Sequence, residues 1–208
     1  MYSSFLADAA ISSKLLQIHL LAVQAMSCLL NFYIELNAYL LTTGLDVPIA
    51  ELGCTDAEIE ETEKEWGVQF PEAYRLFLKW CGKGTMEWMG GQDFTADSLD
   101  YSWECATTLL AENNETLAAR DFVISQWQGY NFYTIQLGTD NPLVTLYIIK
   151  GYDPDARGLD RIAYGKFTDW IIQQIKIMTE LRHKLRRING DVPAVWAELD
   201  RIALLAAE

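Results

Sequence analysis

The chain is poor in the residues that build a conventional catalytic or metal centre. Its 208 residues include two histidines, four cysteines and five prolines. Cys28, Cys54, Cys81 and Cys105 stand far apart with no Cys-x-x-Cys pair. Structural zinc needs close ligand pairs to fix its tetrahedron, so neither a metal nor a cofactor is expected, and the thiols read as reduced core residues. His19 and His183 both fall in helical runs where packing accounts for them, leaving little for a Ser–His or Cys–His dyad. There is no Gly-x-Ser-x-Gly elbow and no Gly-x-Gly-x-x-Gly loop, and Gly82-Lys83-Gly84 follows a helix instead of opening one. Asp153, Asp155 and Asp160 lack the spacing and closing Glu of a calcium loop. Capping and solvation account for the clustered carboxylates. The sequence therefore names no catalytic residue, and the chain reads as not an enzyme.

Positive charge is also scarce. Sixteen Lys and Arg face 29 Asp and Glu, a net charge of −13, and Gly84 to Ala119 holds no Lys or Arg at all. Such a field repels polyanions, which excludes nucleic acid as the expected partner and is compatible with a basic protein. Met1–Ser13 has no basic n-region, so no secretion signal is expected and the cytoplasm is the expected location. The apolar run Ile11–Leu41 is long enough to span a membrane, but Gln17, Gln24, Asn31 and Glu35 punctuate it and no basic cluster flanks it. It reads as a helix packed into the domain or into a second copy of the chain. A membrane-anchored protein stays as an alternative.

What is present is apolar bulk, 50% of residues, ample for a core. The clearest local signals lie in Gly53–Gly84. Thr55 and Glu58 form a capping box, Gly67 after Trp66 is a helix stop, and Pro71 opens a second helix. Tyr74, Phe77, Leu78 and Cys81 then recur at helical spacing until Gly82. A further helix is expected from Asp97, with Leu99, Trp103, Ala106 and Leu110 on one face.

From Asp121 the period changes. DFVISQWQ, YNFYTIQL and PLVTLYIIK are rich in residues that fit a pleated surface, and short connections make them an antiparallel meander. Neither face of the middle run is cleanly polar, so cover on both faces is expected. A turn-rich loop and a short edge strand follow. A helix with Phe167, Trp170, Ile171 and Ile175 on one face should run on until Asn189-Gly190, and Pro193 opens a last helix. The basic cluster Arg182, His183, Lys184, Arg186 and Arg187 reads as a solvated face.

The segment 84–119 sets aromatics among acids. Trp88, Asp93, Asp97, Asp100, Trp103 and Glu104 form a candidate partner-binding face, since aromatic anchors dominate interface energetics. The competing reading puts the aromatics in the core and leaves the acids merely solvated.

An acidic helix ending Trp66-Gly67, then Phe70-Pro71, Tyr74 and a Gly-containing turn, resembles the SUKH superfamily, as does Phe-x-x-Trp-Ile at Phe167–Ile171. That group includes the yeast Smi/Knr cell-wall regulator and many bacterial toxin-immunity proteins. The resemblance covers about residues 53–176 and makes Trp66, Gly67, Pro71, Tyr74 and Trp170 structural motif residues. The fold it implies, with the patterns above, is α+β: a small antiparallel meander packed by helices, with extra N- and C-terminal helices. The expected divisions are 1–50 for the apolar helix and linker, 51–176 for the SUKH-like domain and 177–208 for a helical extension. The terminal helices are expected to pack on each other or to form a homodimer contact. By resemblance the function is non-catalytic protein binding: an immunity protein neutralising a basic toxin domain, or alternatively a regulatory scaffold.

Overall fold

A computed structural model describes residues 24–42, 50–84, 89–150, 158–184 and 192–206. Trp88, Asp153, Asp155, the stop at Asn189-Gly190 and the side chains of His19, His183 and the basic cluster lie outside what it describes. Residues 24–42 form helix α1. It is followed by α2 (Asp56–Trp66), α3 (Glu72–Cys81), α4 (Leu99–Glu112), α5 (Phe167–Lys184) and α6 (Val192–Leu204). Strands β1 (Asp121–Trp127), β2 (Asn131–Gln136), β3 (Leu143–Ile149) and β4 (Leu159–Lys166) form one antiparallel sheet in the order 1-2-3-4. The fold is the expected α+β meander. The edge strand is longer than expected, because β4 pairs with β3 along its whole length.

The α2–α3 pair follows its sequence signals closely. Thr55 and Glu58 satisfy one another's backbone N–H groups in a complete capping box. Gly67 closes α2 in the left-handed region at φ 63°, and the Val68 N–H returns to the Glu63 carbonyl at 3.0 Å. Gly82 ends α3 for a different reason. Its φ is an ordinary −67°, but a Cβ there would stand 2.6 Å from the Leu78 carbonyl oxygen and 2.7 Å from Cys54 Sγ.

Both faces of the sheet are covered, which explains why β2 showed no polar side. On one face α4 seals Val123, Phe132, Tyr147 and Leu159 beneath Ala106, Leu109 and Leu110. On the other, Phe122, Ile124, Tyr133, Ile135 and Val144 join the larger core formed with α3 and α5. The Gly138–Pro142 turn fixes both helices to the sheet. The Asp140 carbonyl accepts the Ala73 N–H of α3 at 2.8 Å, the Pro142 carbonyl accepts the Phe167 N–H at 2.8 Å, and the Asn141 amide donates to Thr168 Oγ1 at 2.9 Å. Backbone groups at both helix N-termini thereby find partners.

The larger core also takes in α1 and α6. Leu29, Phe32, Tyr33, Leu36 and Leu40 are buried in it together with Val195, Leu199 and Ile202. Tyr33 donates to the Ala73 carbonyl at 2.7 Å, and Trp80 of α3 donates to Asn37 Oδ1 at 3.0 Å. The two terminal helices do touch: the Tyr39 hydroxyl reaches the Val195 carbonyl, and Arg201 pairs with Glu35 at 3.5 Å. One apolar sector of α1, with Met26, Leu30 and Ile34, remains exposed. Cys54 and Cys81 are core thiols as expected; Cys28 and Cys105, within α1 and α4, are only half-buried.

A candidate functional site: an acidic cleft between α2 and α4

Helix α2 buries Ile59 and leaves a flank beside it facing outward. Glu58, Glu61, Thr62 and Glu65 recur there at i, i+3, i+4 and i+7, so they share one helical face. That face forms one wall of a cleft of about 520 Å³. Asp97 and Asp100, from a short 3-10 turn (Ala96–Ser98) and the first turn of α4, supply the opposite wall. Cys54, Trp66, Gly82 and Leu99 lie between them.

The cleft sets five carboxylates against one ammonium. Lys83 pairs with Glu58 at 2.6 Å, while Glu61, Glu65, Asp97 and Asp100 have no salt-bridge partner among the described residues. The Lys83 side chain, then the Thr55 backbone and hydroxyl, hold the Glu58 carboxyl down at about 2. Burial pushes the Cys54 thiol up, with Glu58 adding to the effect, so the sulfur stays protonated and is a poor nucleophile. Among the described residues no group of three or more His, Cys, Asp and Glu is arranged to hold a metal ion. What this geometry does chemically is attract cationic side chains, because clefts lined by charge of one sign focus the field.

The structure divides the candidate residues. Asp97 and Asp100 line the cleft. Glu104 is exposed on the other flank of α4. Asp93 has a structural engagement: its backbone pairs with Gln126 at 3.0 and 3.1 Å, and its carboxylate accepts the Gln126 side-chain amide. Trp103 is part-buried, edge-on to Trp66 at 5.4 Å and tilted against Phe122 at 6.4 Å, closing the sheet beside β1. Glu61 and Glu65 were missed in the sequence. Their i, i+4 spacing on one flank of α2 was the available signal, and capping and solvation accounted for it equally well.

The motif residues are placed by packing. Pro71 stands immediately before α3, Tyr74 is wholly buried, and Trp170, also fully buried, lies against Phe77, Tyr133 and Phe167. A four-stranded antiparallel meander carried on a capped helix pair defines an α+β domain. Residues 53–173 match the SMI1 / KNR4 family (SUKH-1), more than half of the chain, and the protein belongs to that family. Neither the comparison with curated proteins nor that with solved structures gave a match. The family is generally non-catalytic. Among the described residues no helix is long and apolar enough to cross a membrane.

Proposed function

We propose that the chain is a bacterial immunity protein that binds and neutralises a cognate basic toxin in the cytoplasm without catalysis of its own. The observation that carries this reading is the cleft between α2 and α4, with four carboxylates lacking a cation partner among the described residues. From Gly84 to Ile149 the chain holds one positive residue, Arg120, so the field around α4 is of one sign. A basic nuclease or similar enzyme would be steered towards that field, and its Lys and Arg side chains would be taken from substrate into the cleft. Asp97, Asp100 and Glu104 would meet the partner directly. Asp93 and Trp103 would act by holding the surface in shape, while Trp88 would contribute an aromatic anchor.

Co-expression with the toxin encoded beside this gene tests the proposal. The expected result is survival and co-purification of a complex. Joint substitution Glu61→Gln, Glu65→Gln, Asp97→Asn and Asp100→Asn should raise the dissociation constant at least tenfold and flatten its salt dependence, as expected when steering charges are removed. Toxicity undiminished by the protein, with no complex on purification, would sink it.

A further inference from the structure

Helix α4 is a ridge with a groove on each flank, and the second groove is chemically distinct from the cleft. Its volume is about 310 Å³, and Tyr101, Glu104, Cys105, Thr108, Leu109 and Glu112 line it from one helix. Gly129, in the turn between β1 and β2, completes the lining. That turn is fixed: Gln128 and Gly129 both have positive φ, 50° and 75°, and Gln126 Oε1 accepts the Gly129 N–H at 2.8 Å. Tyr101 is 55% exposed and stands one helical turn before Cys105 on the groove side of α4. Leu109 gives the groove an apolar floor, while Glu104 and Glu112 are exposed and have no cation partner among the described residues.

Each of these features matches a part of a basic side chain. Apolar floor suits a methylene stem, a tyrosine face suits a guanidinium, and a carboxylate suits the charged head. Glu104 and Glu112 lie two turns apart on one face, roughly 12 Å along the axis at 1.5 Å per residue. An extended chain rises about 3.3 Å per residue, so basic side chains four positions apart in an extended segment match that separation. Resting on the immunity reading above, we infer that the groove along α4 binds an extended basic segment of the partner, with two arginine or lysine side chains four residues apart. One is taken between Tyr101 and Glu104 and the other by Glu112. The cleft on the opposite flank then supplies steering and this groove supplies register.

Fluorescence anisotropy with the full chain at about 150 mM salt tests the inference under physiological screening. The probe is a labelled seven-residue peptide with arginines at its second and sixth positions and alanines between, compared with the same peptide carrying citrulline. The arginine peptide should bind saturably and the citrulline peptide should not. Tyr101→Ala and Glu104→Gln should each weaken binding about threefold, and together about tenfold, the scale of exposed cation–π and ion-pair contacts. Glu60→Gln, on α2 outside both grooves, removes the same charge and should change affinity less than about twofold. Equal losses for Glu60→Gln and Glu104→Gln, or equal binding of the two peptides, would overturn the inference. If the peptide result is negative while the toxin still co-purifies, the groove assignment fails and the immunity reading stands. If the peptide binds specifically while no toxin is captured, the groove stands and the immunity reading fails.

Discussion

Glu63 of α2 and Arg75 of α3 are joined as a part-buried ion pair, and the second carboxylate oxygen of Glu63 accepts the Phe70 N–H at 2.7 Å. One side chain therefore ties the end of α2, the connecting segment and the first turns of α3. Arg75→Ala should cost about 2 kcal/mol, because a carboxylate with little solvent loses its charged donor. Glu63→Ala should cost a similar amount by freeing the Phe70 N–H as well. Urea unfolding checks both, and a double mutant losing no more than either single one would confirm a shared interaction.

The capping box gives α2 an acid limit. The Glu58 carboxyl, held at about 2 in the folded chain against an ordinary 4.5, adds stability that is present above pH 4.5 and is lost as the pH falls towards 2. Glu58→Gln should flatten that part of the stability–pH curve while leaving the region near neutrality to the caps that remain. Thr55→Ala should cost about 1 kcal/mol at neutral pH. Circular dichroism during urea unfolding, repeated between pH 5 and pH 2, measures both.

Two glycines should respond to alanine by different mechanisms. At Gly67 the new methyl meets nothing within 4 Å, so only the left-handed backbone is strained and the cost is about 1 kcal/mol. At Gly82 the methyl meets the Leu78 carbonyl oxygen and Cys54 Sγ, so α3 must shift and the cost approaches about 3 kcal/mol. Asn should rescue at position 67 and not at position 82. A smaller loss at 82 than at 67 would contradict the packing described.

Trp103→Ala should lower stability by about 2 kcal/mol, since the ring is part-buried between Trp66 and Phe122. Glu104→Gln, one position on and exposed, should leave stability within about 0.5 kcal/mol. Denaturation midpoints beside binding constants then separate the residue that shapes the surface from the one proposed to face a partner.

Trp170 is fully buried, and its indole Nε1 makes no hydrogen bond of good geometry, only a weak approach to the Tyr133 hydroxyl. Trp170→Phe removes that poorly met donor along with part of the ring, and the two effects offset, for a net loss under about 1.5 kcal/mol. Trp170→Ala leaves a cavity beside Phe77, Tyr133 and Phe167 and should cost roughly 3 kcal/mol or more, the range for aromatic truncation in a core. Thermal unfolding of the pair reads the difference.

Local signals carried most of the fold. Thr55, Glu58, Gly67 and Pro71 act over a few residues, so their roles could be read directly from spacing. Strand composition located β1 to β3, and β2, cleanly polar on neither side, pointed to its double cover. The site was less legible because its parts are brought together by tertiary packing. Asp97 and Asp100 stand out in the sequence, but nothing local joins them to Glu61 and Glu65 across the cleft. Asp93 and Trp103 share composition with a binding face, and their engagement with Gln126, Trp66 and Phe122 depends on contacts distant in sequence. The reason for Gly82 was similarly hidden: its constraint is close approach to the Leu78 backbone and to the Cys54 sulfur, which leaves no mark on local pattern.

The larger core runs from Leu29 to Ile202, well beyond the span that matches the family. Synthesis makes α1 well before α6, since its contacts at Val195 and Arg201 lie 156 and 166 residues further along the chain. The part of α1 that faces α3 can be covered early, but the part that faces α6 stays open until that helix emerges, at roughly 5–20 residues per second, and that interval invites chaperone engagement. Excising residues 53–173 would strip both helices from the core they cover, so the family segment alone should be far less soluble than the chain from which it is cut.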